Sequence, residues 1–593
     1  MTSLVEVLKH VCSFLNQNDL ISLSQVSKEL NETVIKPRLY KRIRVTKNPI
    51  IRTSNWYLDC GITYVSGYRS MIKTDDQNDL FLYDRIERLL EAPNLKYVKE
   101  LYVEDKVFSD VESGYSILMK LVNKILSYGN VEVIDIRDVQ LWTKLENDIL
   151  SISNLNLKQI KLSDINKLNQ ISNLKSLKQL ECSIEEPPWN FADSNLSKIL
   201  NERIELLILN PKVSHFSSYR LFDYLYNHGF RFDNLRSLKM TYVHSPLDFA
   251  SDANDIILQF LTERVNLSQI VRLELTLTCI HPTDECYCIE DFLQILCPHL
   301  VNLKSLSLIQ KYETENHGDS SKNEFWDLTI CKFLSNLPNV NKNLRHLLIL
   351  HDPLWNGTGI DNVDGNYIRR RQIFNSVLSQ LRSLQTLIIP KMLQSVAPYE
   401  IIACDFLWNG CTCSFCQVNL PKFDEYLMNH QYYDAASSQY KDIIPSRFVG
   451  YIGEELFKRN DPYIRTSWML DIKGLSPLEN YWNFHGHEKL HHFNDYNCKT
   501  NEMIYPSLVK CISHFFNGYM YHIVQHLPNL NMCILSGIYY KVDESSKAKN
   551  NKDKDKYEYK PYVPNHETFF TTIVDTSSSQ ALKCPVDYYS IYD

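Results

Sequence analysis

At 593 residues the chain exceeds what one compact core usually holds, which points to several domains or an elongated repeat array. Its 44% hydrophobic and 22% charged residues exclude wholesale disorder, and a formal net charge of -7 supplies no chain-wide basic field for nucleic acid or an anionic membrane. None of the 16 glycines completes a phosphate-cradling loop; the nearest stretch, Gly357-Thr-Gly359-Ile-Asp-Asn362, lacks the third glycine.

No apolar run approaches the roughly 20 residues of a membrane-spanning helix, and Met1 to Cys12 carries Glu6, Lys9 and His10 in place of a signal-peptide core. The chain therefore reads as soluble, cytoplasmic or nuclear, without membrane insertion or a nucleic-acid partner. In that setting its 16 cysteines are expected to be reduced thiols, with metal ligands as the other use.

Leu4, Val7, Leu8, Val11 and Leu15 recur at spacings of three and four, which predicts a first helix with one apolar stripe and Phe14 beside it. Asn16 to Asn18 interrupt it. Asn18 or Asp19 can cap a second helix, along which Leu20, Leu23, Val26 and Leu30 continue the spacing. Pro37 breaks the pattern again before a third apolar segment at Leu39, Tyr40 and Ile43. The stretch from Leu4 to Leu30, followed by Leu39-Tyr-Lys-Arg-Ile-Arg-Val45, resembles an F-box, particularly those of budding-yeast proteins, although Ser3-Leu4 stands where that family opens with Leu-Pro. The resemblance implies a three-helix module over residues 1–45 that binds a Skp-family adaptor, and through it a cullin scaffold. It also implies that Leu4, Leu8, Phe14, Leu15, Asp19, Leu20, Leu23, Val26, Leu39 and Ile43 are its adaptor-facing and core positions.

A helical connector over 46–94, with Leu80 to Leu90 as its clearest helix, leads into a recurring pattern of apolar first, fourth and sixth positions over 95–400. The copies are Val98/Leu101/Val103, Val131/Ile134/Ile136, Leu157/Ile160/Leu162, Leu177/Leu180/Cys182, Ile204/Leu207/Leu209, Leu235/Leu238/Met240, Ile270/Leu273/Leu275, Leu303/Leu306/Leu308, Leu344/Leu347/Ile349 and Leu384/Leu387/Ile389. A late copy stands at Leu530/Cys533/Leu535. Several open with the same wording, as in Asn234-Leu, Asn302-Leu and Asn343-Leu. The end of each copy alternates as a strand does, and the chain between copies can return as a helix, as at Asp252 to Arg264 and Ile373 to Leu381. This resembles leucine-rich repeats, and the expected fold class is α/β: an F-box followed by an irregular solenoid with an insertion.

In such a solenoid the residue between the last two apolar positions faces the concave surface. Along the later copies these are Lys239, Glu274, Ser307, Leu348 and Ile388, the candidate target-binding residues. Exposed Leu348 and Ile388 demand a cover, supplied either by a target or by the insertion that follows.

That insertion, 401–525, carries Cys404, Cys411, Cys413 and Cys416 ahead of a histidine cluster; 526–593 holds the late copy and a charged segment. Cys-x-Cys-x-x-Cys spacing suits zinc, but the second paired knuckle is missing. Buried reduced cysteines are thus the favoured reading, with a structural zinc as the alternative. His487-Glu-Lys-Leu-His491 matches the H-E-x-x-H pattern of zinc hydrolases, yet Lys489 lies inside it, Gly486 weakens the helix, and no third ligand follows. The expectation is a non-catalytic substrate receptor of a ubiquitin ligase that holds a protein target. A non-degradative scaffold is the alternative, and a hydrolase a distant third.

Overall fold

The computed structural model describes most of residues 4–389, apart from 47–61, 68–74, 245–252, 280–285, 311–320, 352–375 and a few shorter loops, and again 526–535, 538–541 and 570–573. The chain divides into two units, Met1–Thr241 with Gln259–Asn266, and Tyr242–Leu258 with Leu267–Asp593. In order, the first unit carries α1 (Leu4–Cys12), α2 (Gln17–Ser24), α3 (Lys28–Leu30), α4 (Lys36–Leu39), β1 (Arg42–Val45), β2 (Thr63–Val65), α5 (Asp75–Glu91), β3 (Glu100–Val103) and α6 (Val111–Ser127). It continues through β4 (Val133–Ile136), α7 (Val139–Ser151), β5 (Gln159–Leu162), β6 (Gln179–Ile184), α8 (Ser194–Arg203), β7 (Leu206–Pro211) and α9 (Ser218–Asn227). After β8 (Ser237–His244) and α10 (Ala253–Arg264) the second unit holds β9 (Arg272–Cys279), α11 (Cys288–Leu296), β10 (Ser305–Gln310), α12 (Ser321–Asn336), α13 (Val340–Asn343) and β11 (His346–His351). Its last strands are β12 (Thr386–Ile389), β13 (Met532–Leu535), β14 (Ile538–Lys541) and β15 (Phe570–Ile573).

The N-terminal helices match the expected three in number, because α3, a π-helical turn and α4 follow one another without a break as a single helical run after α1 and α2. Ser27, in an extended conformation, caps α3 by accepting the Leu30 N–H at 3.3 Å, and a π-helical turn at Asn31–Ile35 leads into α4. Pro37 lies within this helical run, since Ile35 and Lys36 before it already have right-handed helical dihedrals, and the π-helical turn stands immediately ahead of it. The third apolar segment is divided between a helix and a strand: Leu39 closes α4, while Ile43 and Val45 alternate inward along β1. The connector contains α5 over the expected helix and also the short strand β2. Of the two predicted return helices, α10 covers the first, whereas the described part of the second holds only a 3-10 turn at Leu378–Gln380.

The strands form parallel sheets. In the first unit one sheet has the order β2-β1-β3-β4, with Ile43 opposite Leu101 and Leu101 opposite Ile134. Further along, Ile160 pairs with Leu180, Leu180 with Leu207, and Leu207 with Leu238. In the second unit Leu273 pairs with Leu306, Leu306 with Leu347, Leu347 with Leu387, and Leu387 with Cys533. The fourth position of one copy therefore meets the fourth position of the next. All three apolar positions of each of the ten copies before residue 390 are buried, as is Leu530. Beyond β13 the pairing turns antiparallel, β13 with β14 and β14 with β15.

Two kinds of hydrogen bond repeat with the strands. One backbone carbonyl per copy accepts two successive N–H groups from the next: Lys178 takes those of Glu205 and Leu206, Lys304 those of Arg345 and His346, and Arg345 those of Gln385 and Thr386. The recurrent asparagine supplies the second kind. Its side-chain amide donates to a carbonyl of the preceding copy, Asn234 to Glu202 at 3.0 Å, Asn302 to Ser268 at 2.8 Å and Asn343 to Val301 at 3.2 Å. Asn130 and Asn529 do the same to Lys96 and Arg382. The short amide suits this position because it reaches a turn carbonyl that no strand partner satisfies.

This arrangement separates two costs. Leu306→Ala is expected to lower the stability of the second unit by about 3 kcal/mol through lost burial and a residual cavity. Asn302→Ala should cost about 1 kcal/mol, since water can replace the exposed amide; urea unfolding followed by far-UV circular dichroism checks both.

Candidate functional site

The helix α1 is apolar on two faces. Leu8, Cys12 and Leu15 point inward, Cys12 fully buried and the leucines half-buried. Val7, Val11 and Phe14 repeat the same spacing one position earlier and remain 48, 47 and 53% exposed, with Val5 beside them. From the next segment Ile21 and Val26 are also exposed, at 41 and 73%. Beneath this outer face lies a small core of Cys12, Leu20, Val34 and Ile35, flanked by Leu8, Leu15, Leu23, Leu30 and Leu39. A module of this size fills its interior with one stripe and leaves the second in water, where Val7, Val11 and Phe14 on one side of the helix are unfavourable unless something covers them.

The helices are fixed from below. The Arg38 guanidinium donates to the Ser13 carbonyl at 3.1 Å. Gln17 pairs with the backbone of Tyr64 in β2, accepting its N–H at 2.9 Å and donating to its carbonyl at 3.4 Å. The Thr63 hydroxyl donates to the Leu39 carbonyl. Burial pushes the Cys12 thiol up, against the smaller opposing effect of Arg38. Burial likewise pulls the Lys41 ammonium down, helped by Arg38 and Arg42. His10 meets the Phe14 ring edge-on, with centroids 5.1 Å apart.

The ten residues expected at the adaptor face and its core separate by burial. Leu20 and Ile43 are buried, and Ile43 belongs to β1 inside the parallel sheet, which removes it from any docking face. Leu8, Leu15, Leu23 and Leu39 are half-buried; Phe14, Asp19 and Val26 are exposed. Leu4 opens α1, and its side chain lies outside the described residues. The single expected stripe is in fact two, because Val7 and Val11 face outward and Cys12 takes the inward position. Val5 and Ile21 are the exposed residues the periodicity did not single out. Their signal was present: an amphipathic helix with valines on both sides of a leucine stripe has more apolar surface than one core can use.

The other expected sites fare differently. Lys239 is half-buried, but Glu274, Ser307, Leu348 and Ile388 are buried, the last two only 4 and 2% exposed. As placed, Leu348 and Ile388 present no open face to a target. Cys404, Cys411, Cys413, Cys416 and the His487 to His491 motif lie outside the described residues. Among the described residues one group of side chains could hold a metal ion, far from these helices in sequence: His244, Cys279, Cys286 and Cys288.

Residues 5–46 match the F-box-like family, a span that starts in α1 and ends just past β1. Over 538 residues the chain is 44% identical to a Saccharomyces cerevisiae protein described as the non-SCF-type F-box protein ROY1, covering 90% of this chain and 96% of the yeast protein. The chain belongs to the F-box proteins. The aligned span takes in the parallel strands as well as the helices, so the likeness extends far beyond the docking module.

The two faces of α1 should respond oppositely to charge. Val11→Asp places a carboxylate in water and is expected to change stability by no more than about 0.5 kcal/mol. Cys12→Asp buries an unpaired charge and should unfold the helical module; thermal melts and limited proteolysis of the full chain distinguish the two.

Proposed function

We propose that the chain is a non-catalytic F-box protein that docks a Skp-type adaptor through the outer face of α1 and α2 and acts as a scaffold outside a cullin-based ubiquitin ligase. The first half of this reading rests on the family match and on the exposed Val7, Val11, Phe14, Ile21 and Val26. The second half is carried by one observation, the 44% identity over nearly the whole length of a protein described as a non-SCF-type F-box protein. That likeness favours the scaffold over the ligase receptor.

The energetics define the extent of the docking surface. Val5, Val7, Val11, Phe14 and Ile21 are already about half covered and Val26 about a quarter, so completing their burial gains on the order of 1 kcal/mol each. Six such gains fall short of the roughly 8 kcal/mol that micromolar affinity requires, before the cost of association is subtracted. The half-buried Leu8, Leu15 and Leu23 therefore contribute as well, at the border between core and face.

Downstream, we read the parallel strands of each unit as irregular leucine-rich repeats. Support comes from the in-register fourth positions, the buried triplets and the recurrent asparagine amides. Their role in this reading is to hold a protein partner.

Affinity capture of the full chain from cells with blocked proteasomes tests the proposal. The adaptor should co-purify without stoichiometric cullin, and Val11→Asp with Phe14→Asp should reduce adaptor recovery at least tenfold while leaving the thermal melt unchanged. Cullin in equal amount, with a co-captured protein ubiquitinated only in the presence of the unmutated face, would restore the ligase-receptor reading. Undiminished adaptor recovery by the folded double variant rejects the docking face itself.

A further inference from the structure

The second unit contains a convergence of side chains that adaptor docking does not use. His244 closes β8, Cys279 closes β9, Cys286 stands two residues before Cys288, and Cys288 opens α11. Their four ligand atoms all lie within 4.8 Å of one another. Nδ1 of His244 is 3.3 Å from the Cys286 sulfur and 3.5 Å from the Cys279 sulfur. All three cysteines are free thiols; Cys288 is buried, while His244, Cys279 and Cys286 are half-buried.

Hydrogen bonding is a poor account of this geometry. A ring nitrogen has one in-plane position, which either carries a proton or accepts one, so it cannot serve two thiols equally. Yet two sulfurs approach Nδ1 at nearly the same distance, and a third closes the group. A dication at the centre would engage all four groups at once.

The distances also select the ion. Zinc bonds of about 2.3 Å to sulfur and about 2.0 Å to nitrogen give tetrahedral edges of about 3.5 Å between nitrogen and sulfur and about 3.8 Å between sulfurs. The two nitrogen-sulfur separations of 3.3 and 3.5 Å match the first edge, and ligand atoms all within 4.8 Å of one another accommodate the second. The group is too tight to frame an iron–sulfur cluster, whose thiolates bind different irons. Three thiolates with one imidazole suit zinc better than magnesium or calcium, which take oxygen ligands.

We propose that His244, Cys279, Cys286 and Cys288 form a closed Cys3His site for one structural zinc ion. Four protein ligands leave no open position for substrate, so the ion holds structure and does no chemistry. It fastens the start of α11 to the ends of two strands, beside the stacked rings of Tyr242 and Phe292, whose centroids are 4.3 Å apart. Binding releases the thiol protons, so occupancy falls in acid.

The test is metal analysis of the full-length chain produced with zinc in the medium. Relative to the unmutated protein, Cys279→Ser with Cys286→Ser should lose one equivalent of zinc, and Cys411→Ser with Cys413→Ser should leave that equivalent in place. Cobalt reconstitution should give the visible absorption of a tetrahedral thiolate site, again lost only with the first pair. Should that pair fail to fold, the unmutated chain still decides the matter. Chelation should raise the alkylation rate of Cys279, Cys286 and Cys288 at least tenfold, read by site-resolved mass spectrometry. Equal zinc in variant and parent, iron in place of zinc, a disulfide among these cysteines, or alkylation indifferent to chelation would each overturn the proposal.

Discussion

Within each unit the fold depends on pairing between equivalent positions of successive copies. Parallel strands bond to their neighbours through evenly spaced bonds that do not by themselves choose a register. Here the register is chosen by the apolar triplets, since a slip of one residue would turn Leu238 and Met240 away from the core and bring Lys239 into their place. The doubly used carbonyls and the asparagine amides reinforce the same alignment at the turn that precedes each strand. Because each copy interacts mainly with the next, the chain between strands is free to vary. It is a full helix at α6, a 3-10 segment at Ile165–Asn173 and a long excursion between β12 and β13.

The parts of this structure visible in the sequence are those in which a local pattern and a packing requirement coincide. Leu235, Leu238 and Met240 could be assigned inward from spacing because a strand offers two faces and one must be buried. Leu348 and Ile388 are the opposite case: alternation puts them on the concave side in need of a cover, and both are buried, on strands whose described residues offer no alternating signal. On α1 the error came from counting valines and leucines as one stripe. The buried Cys12 sorts them, since a thiol packs as a small hydrophobe and marks the inward direction.

The cysteine and histidine group shows where sequence reading stops. A zinc knuckle can be read from spacing when its ligands lie two residues apart; His244 and Cys279 are separated by a whole strand-to-strand passage. Their proximity is a product of the register of the second unit, and no local pattern encodes it. Cys404, Cys411, Cys413 and Cys416 have the more conspicuous spacing, and they lie outside the described residues.

One feature of the first sheet bears on how the N-terminal module relates to the rest of its unit. β1 follows α4 after only two residues and lies between β2 and β3, so the last strand of the family-matched segment is an interior strand of the sheet. Lys41, just ahead of it, lends its carbonyl to the N–H groups of Lys99 and Glu100. The N-terminal helices thus continue, through β1 and two intervening residues, directly into the sheet that holds the first copies of the repeat. Removing the module by truncation after Thr46 would strip β3 of its neighbour and expose a row of unpaired backbone groups, an adhesive edge that invites aggregation. Loss of activity in such a truncated chain would report a broken sheet as readily as a missing partner.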